Sequence, residues 1–297
     1  MAAGAEAKKG SGVVPLFRRG ASFQDEEELQ VGLPPVTAAV AADPVAAAPS
    51  LGMPAAWFLI GAGGSGKTTL ARWMGNRAKE GGRTVALAAL DPTNRTLAGF
   101  ADGVMQPDNA DPAQTARWLR QMVEWLMSVQ GAAILDMGGG DTSLSKLISE
   151  APSIATDMRK AGVAPVAAYV LSPRVDDLSA LATFEGAGFQ PEATVLVLNE
   201  ARVDATMSRE DAFARVRSHS AFKAAKARGA VEVWMPALDQ ELALEIETKR
   251  LQFNQARDGA VPAGRRITPI SGLRRSMVRS WMDRMEREFA PVEAWLP

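Results

Sequence analysis

Residues 55–76 read AAWFLIGAGGSGKTTLARWMGN and combine three local patterns in a fixed order. An apolar run, Ala55 to Ile60, predicts a buried strand. The glycine-rich segment Gly61 to Thr68 comes next, and a helical pattern, Thr69 to Lys79, follows at once. The glycine-rich segment has the G-x-x-x-x-G-K-[ST] spacing of a phosphate-binding P-loop, placed between a strand and a helix as that motif requires. The segment therefore predicts a nucleotide-binding site.

The residue types in this loop match the chemistry of phosphate binding. Glycines let backbone N–H groups turn towards the phosphates, where a Cβ would clash. A helix beginning at Lys67 aims its positive end at the same anion. Lys67 would bring its ammonium to the β- and γ-phosphates, and Thr68 would offer its hydroxyl to Mg²⁺. The predicted nucleotide-binding residues are Gly61, Gly63, Gly64, Ser65, Gly66, Lys67, Thr68, Thr69 and, on a later strand, Asn199.

Length and composition favour one α/β domain that is large enough to bury a core. The chain has 297 residues, of which 47% are hydrophobic, and a formal net charge of -1, so any basic patch must be local. It has no cysteine and one histidine, His219, which excludes disulfides, thiolate or multi-histidine metal sites and a cysteine nucleophile. There is no apolar run of membrane-spanning length and no signal-peptide core, so we expect a cytoplasmic protein.

The first 50 residues differ in pattern from the rest. They contain Lys8-Lys9, Arg18-Arg19 and an acidic patch, Asp25 to Glu28, followed by alanine, valine and proline without a helical period. Such a segment buries too little apolar surface to offset its ordering entropy. We therefore expect residues 1–50 to be a mostly disordered tail and residues 51–297 to be a P-loop NTPase domain. A partner-binding or DNA-touching arm is the alternative for the tail.

Beyond the first motif, short apolar runs alternate with helical patterns. This alternation predicts βαβ units and hence a three-layer, Rossmann-like α/β fold, with a mostly parallel sheet covered by helices on both faces. Asp111-Pro112 is typical of a helix start, and the apolar residues from Trp118 to Val129 recur with a helical period. Further strands are predicted at 83–90, 132–135, 164–171, 194–198 and 231–235, and further helices at 209–228 and 269–289.

Polar residues follow several of these strands, at the sheet edge where ligands of parallel sheets bind. Asp136 is placed like a Walker B aspartate that holds Mg²⁺ through a water, so Thr68 and Asp136 are the predicted metal-site residues. The glycines after Asp136 are suited to bringing a backbone N–H to a γ-phosphate. Asp91 would orient or activate the attacking water or bind the metal's water shell; a turn aspartate before proline is its alternative. The predicted catalytic residues are Lys67, Asp91 and Asp136.

Asn199 closes the predicted strand 194–198. Its amide can both donate and accept hydrogen bonds, which suits contact with an exocyclic group of a base. A strand-end turn residue is an equally good interpretation.

These residues also carry a resemblance to a known family. The segment 61–69, GAGGSGKTT, resembles the deviant Walker A motif of the ParA/MinD family of partitioning ATPases. Leu90-Asp91-Pro92 is similar to that family's second acidic motif, Leu135-Asp136 to its Walker B motif, and Asn199 to its base-contacting asparagine. Residues 235–242 resemble its last strand and base-side loop. The resemblance spans roughly residues 55 to 289.

The resemblance implies a MinD-like fold that binds ATP with Mg²⁺, forms an ATP-dependent homodimer and hydrolyses ATP slowly when a partner protein stimulates it. It implies roles such as plasmid partition, protein positioning or conjugative mobilisation, and the run DMGGGD at 136–141 looks most like the plasmid mobilisation and stability relatives. Non-specific DNA binding through basic helices is implied as well. A solvated helix face over a core-docked apolar stripe is the alternative for those helices, and a membrane-surface helix at 269–289 is a further one.

One departure from the family pattern leaves the activity open. The family's signature lysine, which reaches across the dimer to the partner's phosphates, would stand at Ala62. The chain would then hydrolyse weakly, use another residue, or switch on binding alone. Two alternatives to the switch ATPase remain: a P-loop small-molecule or protein kinase, and a nucleotide-binding scaffold without turnover.

Overall fold

A computed structural model describes residues 47–91, 97–101, 103–109, 111–140 and 142–297. The predicted disordered tail lies almost wholly outside these ranges, as do Pro92 and Asp141. Residues 47–50 carry no helix or strand, yet Ala48 packs against the core and its N–H donates to the carbonyl of Pro291 at 2.8 Å. The described contacts of the domain therefore begin before residue 51.

Six strands form one sheet in the order β2-β3-β1-β4-β5-β6, and every pairing is parallel. All six predicted strands are confirmed, and β1, β4 and β6 have the predicted bounds. β1 is buried along its whole length, as expected for a strand covered on both faces. The bounds are β1 Ala55–Ile60, β2 Ala86–Ala89, β3 Ala133–Asp136, β4 Ala164–Leu171, β5 Ala193–Asn199 and β6 Val231–Met235.

The helices cover both faces of the sheet, which confirms the three-layer α/β fold. Along β1, Trp57 and Leu59 enter the core beneath α1, α8, α9 and α10, whereas Phe58 and Ile60 enter the core beneath α2 to α7. In the described ranges, no helix is both long and apolar enough to cross a bilayer. The bounds are α1 Lys67–Glu80, α2 Pro112–Val129, α3 Ser143–Glu150, α4 Ile154–Lys160, α5 Ser179–Gly186, α6 Arg209–Ser218, α7 Ser220–Ala227, α8 Gln240–Thr248, α9 Phe253–Asp258 and α10 Gly272–Phe289.

The predicted start of α2 is confirmed by its cap. The Asp111 carboxylate accepts a hydrogen bond from the Gln114 N–H at 2.8 Å, with Pro112 at the first helical position. The apolar face is buried at Leu119, Met122 and Leu126, but Val129 is half exposed.

The prediction of a single helix at 209–228 is wrong, because the helical conformation is interrupted at His219. The backbone of His219 is extended, and its ring Nδ1 accepts a hydrogen bond from the Ala221 N–H at 3.2 Å, which caps α7. His219 is thus a half-buried cap between α6 and α7 rather than a surface residue within one helix. A histidine followed by serine offers the backbone a local hydrogen bond that competes with a continuous helix.

The last helix also differs from its prediction at its N-terminal end. It begins at Gly272, not near Pro269, and Leu273 and Met277 are 77% and 38% exposed instead of facing the core. Ion pairs from Arg274 join this part of the helix to Glu241 and Glu245 on α8. The buried residues of the helix are Val278, Trp281, Met282, Met285 and Phe289.

Trp57 ties the central strand to the C-terminal end of the described chain. It is fully buried, and its indole Nε1 donates to the carbonyl of Trp295 at 2.9 Å. Trp295 lies in a 3-10 helix, Ala290–Trp295, and its own indole donates to the carbonyl of Pro49 at 2.8 Å. Residues from both ends of the domain therefore close over β1.

We expect Trp57→Phe to lower the free energy of unfolding by about 2 kcal/mol, because it removes indole volume and leaves the buried Trp295 carbonyl without its donor. Urea denaturation followed by circular dichroism measures this. Trp125→Phe is the matched control, because Trp125 is 43% exposed on α2 and its truncation should change stability by less than about 0.5 kcal/mol. Equal losses in both variants would contradict the assigned role of Trp57.

Candidate nucleotide-binding site

The loop between β1 and α1 folds tightly around the N-terminus of α1. Gly66 caps α1 in the left-handed region at φ 105°, so Lys67 is the first helical residue. Gly61 lies so close to β4 that a Cβ there would be 2.5 Å from the Val170 carbonyl oxygen. Glycine is needed at both positions, at one for its backbone conformation and at the other for space. The loop therefore leads directly into the N-terminus of α1, the position at which the sequence predicts an anion-binding site.

Lys67 carries a buried positive charge inside this loop. Its Nζ donates to the carbonyls of Gly61 and Ala62, both at 2.9 Å, and the residue is 6% exposed. Burial lowers the pKa of the Lys67 ammonium, and the negative charges of Asp136, Asp91 and Asp177 oppose this in part. A phosphate in the loop would supply the compensating negative charge.

Thr68 and Asp136, the two residues predicted to hold a metal, are in direct contact. The Thr68 hydroxyl donates to Oδ2 of Asp136 at 2.6 Å. Asp136 is 7% exposed, and burial raises its pKa to about 6, although the Thr68 hydroxyl and the Lys67 charge lower it in part. A divalent cation would favour the ionised carboxylate. The Thr68 hydroxyl and the Asp136 carboxylate are oxygen donors, the ligand type that Mg²⁺ takes in proteins.

Asp91 belongs to the same cavity, which has a volume of about 320 Å³ at the carboxyl ends of β1, β2 and β3. Its charge raises the pKa values of both Lys67 and Asp136, so it lies within electrostatic reach of both. The exposed Glu247 of α8 also lines this cavity, a contact for which the sequence offers no motif. The structure thus brings together the residues predicted to be catalytic; their roles stay predictions.

Asn199 contacts the P-loop itself. Its Nδ2 donates to the Ser65 carbonyl at 2.6 Å, its Oδ1 accepts from the Ala201 N–H at 2.9 Å, and the residue is 2% exposed. Both the nitrogen and the oxygen of the amide therefore form hydrogen bonds with backbone atoms, and the side chain stabilises the conformation of the P-loop. Contact with a base stays a prediction. The second proton on Nδ2 takes no part in the hydrogen bond to Ser65 and is the group left for that contact.

Arg202 is a site residue that sequence reasoning missed. It ends a 3-10 helix, Glu200–Arg202, and its Nε donates to the Gly64 carbonyl at 3.0 Å, while Nη2 donates to the same oxygen. It has no ion pair within the described part of the chain, so it adds positive charge at the tip of the P-loop. The sequence signal for Arg202 was its position three residues after Asn199, which ends β5, because that spacing corresponds to one helical turn.

A second cavity of about 400 Å³ adjoins the first beside Ala62. Asp176 and Asp177 line it, and the Asp177 carboxylate accepts from the Ser172 N–H at 2.8 Å and from the Ser172 hydroxyl at 2.6 Å. These acids follow β4, a strand end for which the sequence predicted no site residue. The cavity beside Ala62 is therefore acidic on the side away from the P-loop.

Gly139, in the segment after β3, packs directly on the P-loop. A Cβ at Gly139 would lie 2.6 Å from the Cα of Gly63 and 2.7 Å from its nitrogen. The glycines after Asp136 thus permit a close approach of two loops, so that movement of one displaces the other.

The raised pKa of Asp136 predicts a stability change in Asp136→Asn. The carboxyl group has a pKa of about 6 in the folded chain against 3.8 ordinarily, so the folded state retains a proton that the unfolded state loses between pH 4 and 6. Wild-type stability falls across that window, and the variant lacks this loss. In EDTA without nucleotide, Asp136→Asn should be more stable at pH 7.5, by up to about 3 kcal/mol, and no different below pH 4.

Urea titrations at a series of pH values measure this difference. Asp176→Asn is the control, because its side chain is 86% exposed and its substitution should change the free energy of unfolding by less than about 0.5 kcal/mol. An Asp136→Asn gain that is the same at every pH would contradict the burial argument.

The contact between Gly139 and Gly63 predicts the effect of one added methyl group. Gly139→Ala should displace the P-loop and weaken binding of a fluorescent nucleoside triphosphate at least about tenfold, since overpacking of this kind costs about 1–3 kcal/mol. Gly186→Ala is the matched control, because nothing lies within 4 Å of a Cβ there. Unchanged binding by Gly139→Ala, measured by fluorescence anisotropy, would show that the loop tolerates the methyl group.

No protein-family model and no curated protein matches this chain. Among solved structures, it is similar to the cell division protein FtsY of Thermotoga maritima, with 18% identity, a TM-score of 0.41 and coverage of 65% of this chain and 64% of that one. It is also similar to the MinD cell division protein of Aquifex aeolicus, with 14% identity, a TM-score of 0.42 and coverage of 77% and 97%. A nucleotide-binding protein of Archaeoglobus fulgidus in complex with ADP has 14% identity, a TM-score of 0.39 and coverage of 67% and 86%. Likenesses at this level identify neither a family nor an activity for the chain.

Proposed function

We propose that this protein is a Mg²⁺-dependent P-loop switch ATPase of the ParA/MinD type. The observation that carries the proposal is the contact between Thr68 and Asp136 beside the buried ammonium of Lys67, inside a glycine loop at the N-terminus of a helix. A buried cation in the loop and a buried carboxylate at its edge suit a phosphate chain and the divalent cation that accompanies it.

In this proposal the chain's own groups bind and orient the triphosphate. Backbone N–H groups of the P-loop and the Lys67 ammonium hold the phosphates, and Asn199 keeps the loop in shape through the Ser65 carbonyl. Thr68 and Asp136 would hold Mg²⁺, which would supply positive charge to the phosphate oxygens. Asp91 orients a water for attack on the γ-phosphorus, and the bond to the bridging oxygen breaks to give ADP and phosphate. Preference for ATP over other nucleotides rests on the motif resemblance.

Stimulation by a partner is part of the proposal, because Ala62 cannot supply the family's lysine. The cavity beside Ala62 is open to a cationic side chain of a second copy or of a partner protein, and Asp176 and Asp177 would attract that side chain. Such a cation would stabilise charge that develops on the phosphates. The proposed biological setting, plasmid partition, stability or conjugative mobilisation, follows from the resemblance alone.

DNA binding is proposed for only some of the basic residues on α6, α7 and α10. Arg217, Arg228 and Arg274 are ion-paired to acids of the same domain, and Arg284 donates to the Ala237 carbonyl at 2.9 Å. Apart from Arg284, the basic residues of these helices without an ion pair in the described ranges are Arg215, Lys223, Lys226, Arg275, Arg279 and Arg287. These remain for contact with phosphates of a nucleic acid.

The proposal predicts a mass change that depends on nucleotide. Light-scattering mass in Mg²⁺ should double with ATP, remain that of a monomer with ADP, and remain monomeric with ATP in Lys67→Ala, because that variant cannot hold the phosphates. Lys223→Ala, at an exposed lysine of α7, is the control and should behave as wild type. Phosphate release measured on the same samples should be slow in wild type and absent in Lys67→Ala.

Other outcomes of this experiment separate the alternatives. A monomer in every condition would overturn the switch proposal, and transfer of the γ-phosphate to an added acceptor would identify a kinase. Tight ATP binding with no phosphate release, also in the presence of DNA, would identify a scaffold.

A further inference from the structure

A cavity of about 350 Å³ lies on the far side of α1 from the P-loop. It is enclosed by α1, by the start of α9 and by the segments that flank β2. Its apolar wall consists of Val85, Leu87, Phe100 and Phe253. This volume lies at the low end of the range for small-molecule sites, which are mostly apolar with a few placed polar groups.

The floor of this cavity is the guanidinium of Arg72. The Arg72 Cζ lies 3.4 Å from the ring centroid of Phe100 and 4.5 Å from that of Phe253, so two aromatic faces hold it in place. Its Nη2 donates to the Leu251 carbonyl at 3.0 Å, but its Nε is buried without a partner. Arg72 forms no ion pair in the described part of the chain.

Among the described residues, Arg72 therefore has no acidic partner for its buried guanidinium. Burial lowers its pKa to about 10, and the charge of Glu247, which raises the pKa, offsets this only in part. Buried charges in proteins are usually paired, because an isolated one is costly to desolvate. An anion placed against Arg72 would remove this deficit.

The rim of the cavity has the same sign of charge. Lys79 and Arg83 line it, and none of the described residues that line it is acidic. The nearby Glu80 carboxylate is directed elsewhere, to Arg257 at 2.7 Å and to the Asn76 amide at 3.0 Å. Three cations thus face one apolar cavity without a carboxylate among them.

We propose that this cavity binds a small amphipathic anion, a carboxylate or a phosphate carried on an apolar or aromatic body. The anionic group pairs with Arg72 and with the rim cations, and the apolar body packs on the partly buried Val85 and Leu87. The site is separate from the proposed nucleotide site, and its test does not require nucleotide. Because Arg72 is one helical turn from Thr68 on α1, a ligand here contacts the same helix that begins at the P-loop.

The test uses the full chain without nucleotide and the probes benzoate, phenyl phosphate and the neutral benzyl alcohol. Titration calorimetry should show saturable binding of both anions, and binding of benzyl alcohol at least about tenfold weaker, because only the anions pair with the cations. The double variant Lys79→Gln/Arg83→Gln should weaken anion binding at least about tenfold. Both substituted side chains lie at the rim, so this variant spares the buried Arg72 and the fold.

Two controls place the binding in the molecule. Lys223→Gln/Lys226→Gln removes the same number of charges from α7 on the opposite face of the sheet and should leave both affinities within about twofold. Lys67→Ala should also leave them unchanged, because it affects only the P-loop. The proposal is overturned if neither anion saturates below about 10 mM, if the two double variants weaken binding equally, if benzyl alcohol binds as well as benzoate, or if only Lys67→Ala abolishes binding.

Discussion

Two buried charges of opposite sign, Lys67 and Asp136, set the main constraint on this structure. They lie at the same edge of the sheet, they are 6% and 7% exposed, and they form no ion pair with each other. Burial therefore moves the pKa of each towards the neutral form. Much of the surrounding architecture keeps them in place: the carbonyls of the glycine loop, the Thr68 hydroxyl and the brace from Asn199. The fold stores unfavourable electrostatics where a phosphate and a cation would relieve it.

Much of the fold could be predicted from the sequence because its signals are local. Apolar runs such as β4, Ala164–Leu171, are continuous and end at turn residues, so their bounds follow from composition. The break at His219 could not be predicted by periodicity, because it depends on a side-chain cap that competes with the helix. Leu273 and Met277 share the helical period of the buried residues of α10, so their exposure could not be predicted from the pattern.

The candidate site, like the fold, has one part that could be predicted from the sequence and one part that could not. The P-loop spacing and the aspartates at strand ends were predictable, since parallel strands bring their carboxyl ends to one edge. The contact of Arg202 with Gly64, and that of Gly139 with Gly63, depend on how loops from different strands meet in space. Asn199 was predicted as a residue that contacts a base, but in the structure its amide holds the backbone of the P-loop. A direct role towards a base stays a prediction.

The hydrogen bond from Trp57 to Trp295 has a consequence for how the protein is made. It joins the central strand to a residue 238 positions further along the chain, so β1 cannot complete its burial until that residue is available. Contacts of such long sequence separation slow folding and keep apolar surface exposed during synthesis. Among the described strands β1 comes first in the chain and, by this contact, is among the last to be completely buried. A nascent chain would therefore complete the burial of Trp57 only after residue 295 leaves the ribosome.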